Sequence, residues 1–160
     1  MPQLTAKELT ALGDQLGMEC SLVKKYEMYA QVCADPQLRT KCEETAAKHR
    51  NHYQALLGLL GGRKEERIMQ ATVNTTNFDD KEILTDALAS EKFAADSYNT
   101  FSCEAATPQV RQNFLSLLSE EHEIQNSIFL EMSKRGWYPT PAAEQQKIDD
   151  ARVKYRNMAP

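Results

Sequence analysis

The chain has 160 residues, 41% hydrophobic, 26% charged and 8% aromatic, with a formal net charge of −4. That is the size and composition of one globular unit around a single core, and it excludes a disordered chain. The balance of 23 acidic against 19 basic residues, with no basic block, excludes a nucleic-acid binder, and no apolar run approaches the roughly 20 residues of a membrane helix.

The opening MPQLTAKELT lacks the apolar heart of a signal peptide, so synthesis and initial retention on the cytoplasmic side are expected. The four cysteines, Cys20, Cys33, Cys42 and Cys103, have no CxxC spacing and are expected as free thiols. Cys33 and Cys42 flank the first turn and can approach each other, leaving a bond between them as an open alternative.

Prolines at 36, 108, 139 and 141 and the Gly61-Gly62 pair divide the chain into four long segments, a connection and a tail. In the first segment Leu9, Leu12, Leu16, Glu19, Val23, Tyr26, Ala30 and Cys33 recur at alternating spacings of 3 and 4, the seam of a helix. Asp35-Pro36 supplies an N-cap and N1 pair that starts a second helix after almost no turn. Its stripe is Leu38, Cys42, Thr45, His49, His52, Leu56 and Leu59.

The connection over 61–80 includes the mixed-charge run RKEER at 63–67, expected as solvated surface. The third segment carries Leu84, Leu88, Glu91, Ala95, Tyr98, Ser102 and Ala105. Thr107-Pro108 repeats the start signal, and the fourth stripe is Val110, Phe114, Leu117, Glu121, Ile124 and Ile128. Beyond Gly136, Thr140-Pro141 is expected to cap a short final helix over 141–156. That helix is expected across the bundle, with Trp137 and Tyr138 as anchors.

Strand alternation appears nowhere. Turns this short make sequential helices antiparallel, and four amphipathic helices of about 25 residues, roughly 37 Å each, pack as a four-helix bundle. The connection is long enough to run the bundle's length, which would make the middle helices parallel, as in ferritin-like folds. An up-down-up-down order is the alternative.

The bundle is internally duplicated. A shift of 72 residues superposes Pro36 on Pro108, Leu12 on Leu84, Glu19 on Glu91 and Tyr26 on Tyr98, with nine identities over 12–39 and no gap. The expected organisation is one all-α domain over 1–160: hairpin one at 5–60, hairpin two at 80–135, and a C-terminal segment at 136–160.

Every seam carries an ionisable or metal-ligating residue where an apolar one belongs: Glu19, His49 with His52, Glu91, and Glu121. Counting from the first turn places Glu19, His49 and His52 at one level, roughly 22–26 Å down the hairpin. The duplication places Glu91 and Glu121 at the equivalent level of the second. Buried carboxylates must be paired, hydrogen-bonded, hydrated or metal-bound.

The pattern evokes the carboxylate-bridged di-metal bundle, with one Glu on each of two helices and Glu-x-x-His on each of the others. The chain departs from it twice, with His49-x-x-His52 in the second helix and Glu121-x-x-Ile124 in the fourth. His122 lies about 100° around its helix from Glu121 and is expected to face a neighbour or water. Two readings follow: one transition metal (iron, manganese or zinc) held by Glu19, His49, His52, Glu91 and Glu121, or acids and imidazoles that satisfy one another. On the second reading, replacing Glu19 or Glu91 by leucine is expected to be neutral or stabilising. Nucleophile elbow, phosphate loop and dinucleotide fingerprint are all absent.

The runs KKYEMYA, DPQLR and KHRNHY in the first half, and ALASEKFAADSYNTFSCEAATPQVRQNF with SEEHEIQNSIFLEMSKRGWYP in the second, resemble the spore coat protein F-like family of endospore-forming bacteria, in the ferritin-like superfamily. The likeness covers residues 4–156. It implies a ferritin-like helical domain and a structural, non-enzymatic, self-associating component of the spore coat. It further implies synthesis in the mother-cell cytoplasm and other coat proteins as partners. The alternative function is a metal-binding bundle with storage or oxidoreductase activity.

Overall fold

The structure, a computed structural model, describes residues 4–61, 78–156 and 158. Among the described residues lie five helices: α1 (Ala6–Val32), α2 (Pro36–Leu59), α3 (Asp80–Glu104), α4 (Pro108–Lys134) and α5 (Gln145–Arg156). No strand occurs among the described residues, and no described helix is long and apolar enough to cross a membrane.

The helix starts follow local chemistry. Thr5 caps α1 and Asp79 caps α3, each in a reciprocal capping box with the residue three on, Glu8 and Glu82. Asp35 caps α2 by accepting the Gln37 N–H at 2.7 Å, with Pro36 in the first helical turn. At the far end of α4, Gly136 takes a φ of 71°. The Trp137 N–H reaches the Met132 carbonyl and the Gly136 N–H the Ser133 carbonyl, a Schellman stop that needs a residue tolerant of left-handed backbone.

The helices pack as two hairpins, α1 with α2 and α3 with α4, joined by α1 on α3 and α2 on α4. Contacts at the ends fix their directions. Glu8, at the start of α1, accepts hydrogen bonds from the Thr107 N–H at 2.5 Å and the Thr107 hydroxyl at 2.9 Å. Asp80, at the start of α3, accepts the N–H groups of Ala34 and Asp35 at 2.8 and 3.1 Å. Helices α1 and α3 therefore run antiparallel, and α2 and α3 run parallel. The chain leaves α2 at one end of the bundle and enters α3 at the other, the connectivity of ferritin-like folds. The connection itself, with the run at 63–67, lies outside the described residues.

Three of the four seams are buried as their spacing predicts, including Leu38 to Leu59 on α2 and Val110 to Ile128 on α4. On α1 the stripe is displaced by one position at three places: Glu8, Gln15 and Leu22 are buried, while Leu9 is exposed and Leu16 and Val23 are half-buried. The polar Glu8 is drawn inward by the backbone and hydroxyl donors of Thr5 and Thr107.

The final helix also differs. It begins at Gln145 instead of 141, and none of its residues is buried. Trp137 packs against the core and Tyr138 meets Phe129 edge-on at 5.3 Å. The anchors dock, but the helix does not lie against the bundle. Ile148, Val153 and Tyr155 are left exposed on a helix otherwise rich in charge.

Candidate functional site

Two apolar clusters fill the bundle. One is built around Tyr29, Leu38, Leu84 and Ile128, the other around Leu12, Leu56, Val110 and Phe114. Between them lies a polar layer to which every long helix contributes: Glu19 from α1, His49 and His52 from α2, Glu91 from α3 and Glu121 from α4. None of these five is more than 1% exposed. Antiparallel pairing within each hairpin sets them at one height, and their places on the 3–4 seam turn them inward.

Each imidazole nitrogen faces a carboxylate. His49 Nδ1 lies 2.8 Å from Glu19 Oε2 and its Nε2 lies 3.4 Å from Glu91 Oε1. His52 Nδ1 lies 3.0 Å from Glu121 Oε1 and its Nε2 lies 3.0 Å from Glu120 Oε2. A ring with acceptors at both nitrogens is best satisfied as imidazolium, which donates from both. Two tyrosines complete the layer: the Tyr26 hydroxyl donates to Glu91 and the Tyr98 hydroxyl to Glu19. The Tyr26 and His49 rings stack with centroids 5.5 Å apart.

The electrostatics follow from these contacts. Burial by itself disfavours the charged forms, yet the bonds to Glu19 and Glu91 raise His49 to about 9, and those to Glu121 and Glu19 raise His52 to about 10. Burial likewise works against an ionised Glu19, but His49, His52 and Tyr98 outweigh it and lower the carboxyl to about 2. Glu91 is held below its usual range against burial, chiefly by His49. Glu121 goes the other way: burial, reinforced by Glu91, raises it to about 8 despite the His52 bond.

As carboxylates, Glu91 Oε2 and Glu121 Oε2 would both be buried without a donor, and a proton held on Glu121 toward Glu91 removes that cost. Two imidazoliums, two carboxylates and one protonated acid leave the five groups neutral in sum.

The donor set fits a metal ion. Glu19, His49, His52 and Glu121 each offer a ligand atom, all within 4.8 Å of one another. Two nitrogens and two carboxylate oxygens suit zinc, iron or manganese, and the unpaired Glu91 and Glu121 oxygens are atoms a cation would satisfy. Glu91 shares the layer but lies outside this four-residue group. Ligation requires neutral imidazoles, so a metal would have to displace the protons that now hold the layer together.

The 72-residue repeat is visible in the chemistry. Glu19 pairs with Glu91 and Tyr26 with Tyr98, and each tyrosine donates to the acid of the other half. His49 falls on Glu121 and His52 on Ile124, so within this layer the near-twofold symmetry breaks at those two pairs.

Periodicity leaves the polar roles of three participants unread. Tyr26 and Tyr98 read as packing aromatics, although their exact repetition seven residues after each seam glutamate is a signal available in the sequence. Glu120, half-exposed beside Glu121, carries none. His122 points outward, as its helical angle predicts.

The fold is that of a ferritin-like four-helix bundle built from a duplicated hairpin, with a short C-terminal helix. Residues 79–141, the second hairpin and the turn beyond it, match the Coat F domain, in agreement with the family resemblance of the sequence. A curated relative, the uncharacterized protein YusN of Bacillus subtilis (strain 168), is 24% identical over 82 residues, spanning 51% of this chain and 74% of YusN.

Among solved structures, a candidate spore coat protein from Bacillus halodurans C-125 superposes with a TM-score of 0.77 at 14% identity, covering 91% of this chain and 97% of its own. A two-domain protein from Anabaena variabilis ATCC 29413, with DJ-1/ThiJ/PfpI-like and ferritin-like domains, gives a TM-score of 0.72 at 16% identity over 89% of this chain and 43% of its own. A conserved hypothetical protein from Mycobacterium tuberculosis gives 0.66 at 16% identity, over 87% and 97%. At such identities these superpositions establish the fold alone.

Proposed function

We propose that this chain is a spore coat protein: a non-enzymatic, self-associating structural component, made in the mother cell and assembled with other coat proteins. The observation that carries the reading is the Coat F match across the second hairpin. A core layer in which every imidazole nitrogen faces a carboxylate is compatible with a scaffold. Self-association is favoured by α5, whose Ile148, Val153 and Tyr155 are exposed on a helix that buries nothing. The test follows a tagged chain through sporulation in a spore-forming host while sedimentation velocity is run on the purified protein over a wide concentration range. Recovery in the coat fraction and concentration-dependent growth in mass are expected; a strictly monomeric protein that never reaches the spore overturns the reading.

A second reading, a metal-binding bundle with storage or oxidoreductase activity, is favoured by the convergence of Glu19, His49, His52 and Glu121. A transition metal bound there would supply Lewis acidity or electron transfer, with Tyr26 and Tyr98 orienting the Glu91 and Glu19 carboxylates by their hydroxyl bonds. Protein purified without chelators should then carry about one metal per chain, and His49→Ala should empty it. Far less than stoichiometric metal removes this reading and leaves the first untouched.

A further inference from the structure

Cys33 and Cys42 bring their sulfurs within 4.0 Å across the first hairpin turn. Both are free thiols, 1% and 2% exposed. Cys33 is the first residue beyond α1, with a ψ of 127°; its N–H makes the last helical bond, to the Tyr29 carbonyl, and its own carbonyl leaves the helical pattern to accept Arg39. Cys42 stands in the second turn of α2. A disulfide requires the sulfurs to close to about 2.05 Å, a movement of roughly 2 Å that side-chain rotation and a small shift at the non-helical Cys33 can deliver.

Apolar packing does not demand sulfur at these places. The 72-residue repeat sets Cys33 on Ala105 and Cys42 on Phe114, so the second hairpin fills the same two positions with a small and a large hydrocarbon side chain.

We propose that Cys33 and Cys42 are a modification site, at which hydrogen peroxide converts the thiol pair into a disulfide that staples α1 to α2. The Cys33 thiolate attacks one peroxide oxygen, giving a sulfenic acid and, with its proton, one water. The Cys42 thiol then attacks the sulfenic sulfur, forming the S–S bond and expelling a second water. Overall two thiols are oxidised by two electrons and one peroxide is reduced to two waters.

Cys33 is the attacking partner. The S···S contact with Cys42 lowers the pKa of Cys33, while the same contact raises that of Cys42. Ala34, Pro36 and Gln37 around the turn are exposed, so local opening of this short bend admits a molecule as small as hydrogen peroxide.

Trypsin separates the two cysteines by cutting after Arg39 and Lys41. The folded full chain is treated with hydrogen peroxide, denatured, alkylated and digested without reductant. A linked pair of peptides, 26–39 joined to 42–48, is expected, lighter by two hydrogens than the sum of its parts and released by reductant. The oxidised protein should melt roughly 5–10 °C above the reduced one, and Cys33→Ala, which installs the residue found at 105, should abolish that rise. Recovery of both peptides separately and fully alkylated, in a sample whose exposed Cys103 has been oxidised, overturns the proposal. The peptide map uses the unaltered chain, so it decides the matter even if the variant fails to fold.

Discussion

Glu8 serves two helix starts with one carboxylate. It closes the capping box with Thr5 and receives both the N–H and the hydroxyl of Thr107, the N-cap residue of α4. Burial would raise its pKa, but the Thr5 and Thr107 donors dominate and lower it from 4.5 to about 2. A carboxyl depressed in the folded state stabilises it above the unfolded pKa, and that contribution is lost as pH falls from about 4.5 toward 2. Glu8→Gln should therefore lower the melting temperature at neutral pH and flatten its decline between pH 5 and 2, measured by thermal denaturation across that range.

At Glu19 the structure reverses the direction inferred from desolvation alone. Leucine there would strand the His49 Nδ1–H and the Tyr98 hydroxyl inside the core. Removing one partner of a buried pair costs about 3–5 kcal/mol, so chemical denaturation of metal-free Glu19→Leu should show a loss on that scale rather than neutrality.

Among the helices, α2, α3 and α4 were readable because their 3–4 spacing, Asp-Pro and Thr-Pro starts and mid-seam polar residues all point the same way. Residues such as Leu38, Tyr98 and Phe114 sit where the pattern puts them. Helix α1 was readable in extent but not in face, because Glu8 is a polar residue whose burial depends on a partner 99 residues away, and the polar Gln15 is buried as well. Glu120 was hidden for a related reason: its role is a contact to His52, 68 residues distant, with no periodic signature.

Docking of α5 was also beyond the pattern, since an amphipathic stripe reports that a partner is needed and not which one. As no α5 residue is buried, deleting 141–160 should leave the melting temperature within about 2 °C while reducing concentration-dependent association in sedimentation velocity.

The molecule as a whole is two copies of one hairpin, clasped so that their acids and tyrosines exchange partners. Within the layer the symmetry fails at His49 and Ile124, where a complete di-metal set would have glutamate and histidine. The paired substitution His49→Glu with Ile124→His restores that set. It should raise bound iron or manganese toward two per chain, against at most one in the parent, as read by elemental analysis after dialysis. Unchanged metal content would show that the layer's shape, and not its ligand inventory, governs loading.

The crossed carboxylates at the two ends have a consequence for assembly of the chain. Glu8 of the first half closes the bend of the second, and Asp80 of the second closes the bend of the first. A severed half loses the carboxylate that closes its bend and exposes its side of the shared core. Two polypeptides, 1–61 and 78–160, should thus be largely unstructured apart and regain helicity on mixing, followed by circular dichroism, with Glu8→Gln and Asp80→Asn each weakening the reunion.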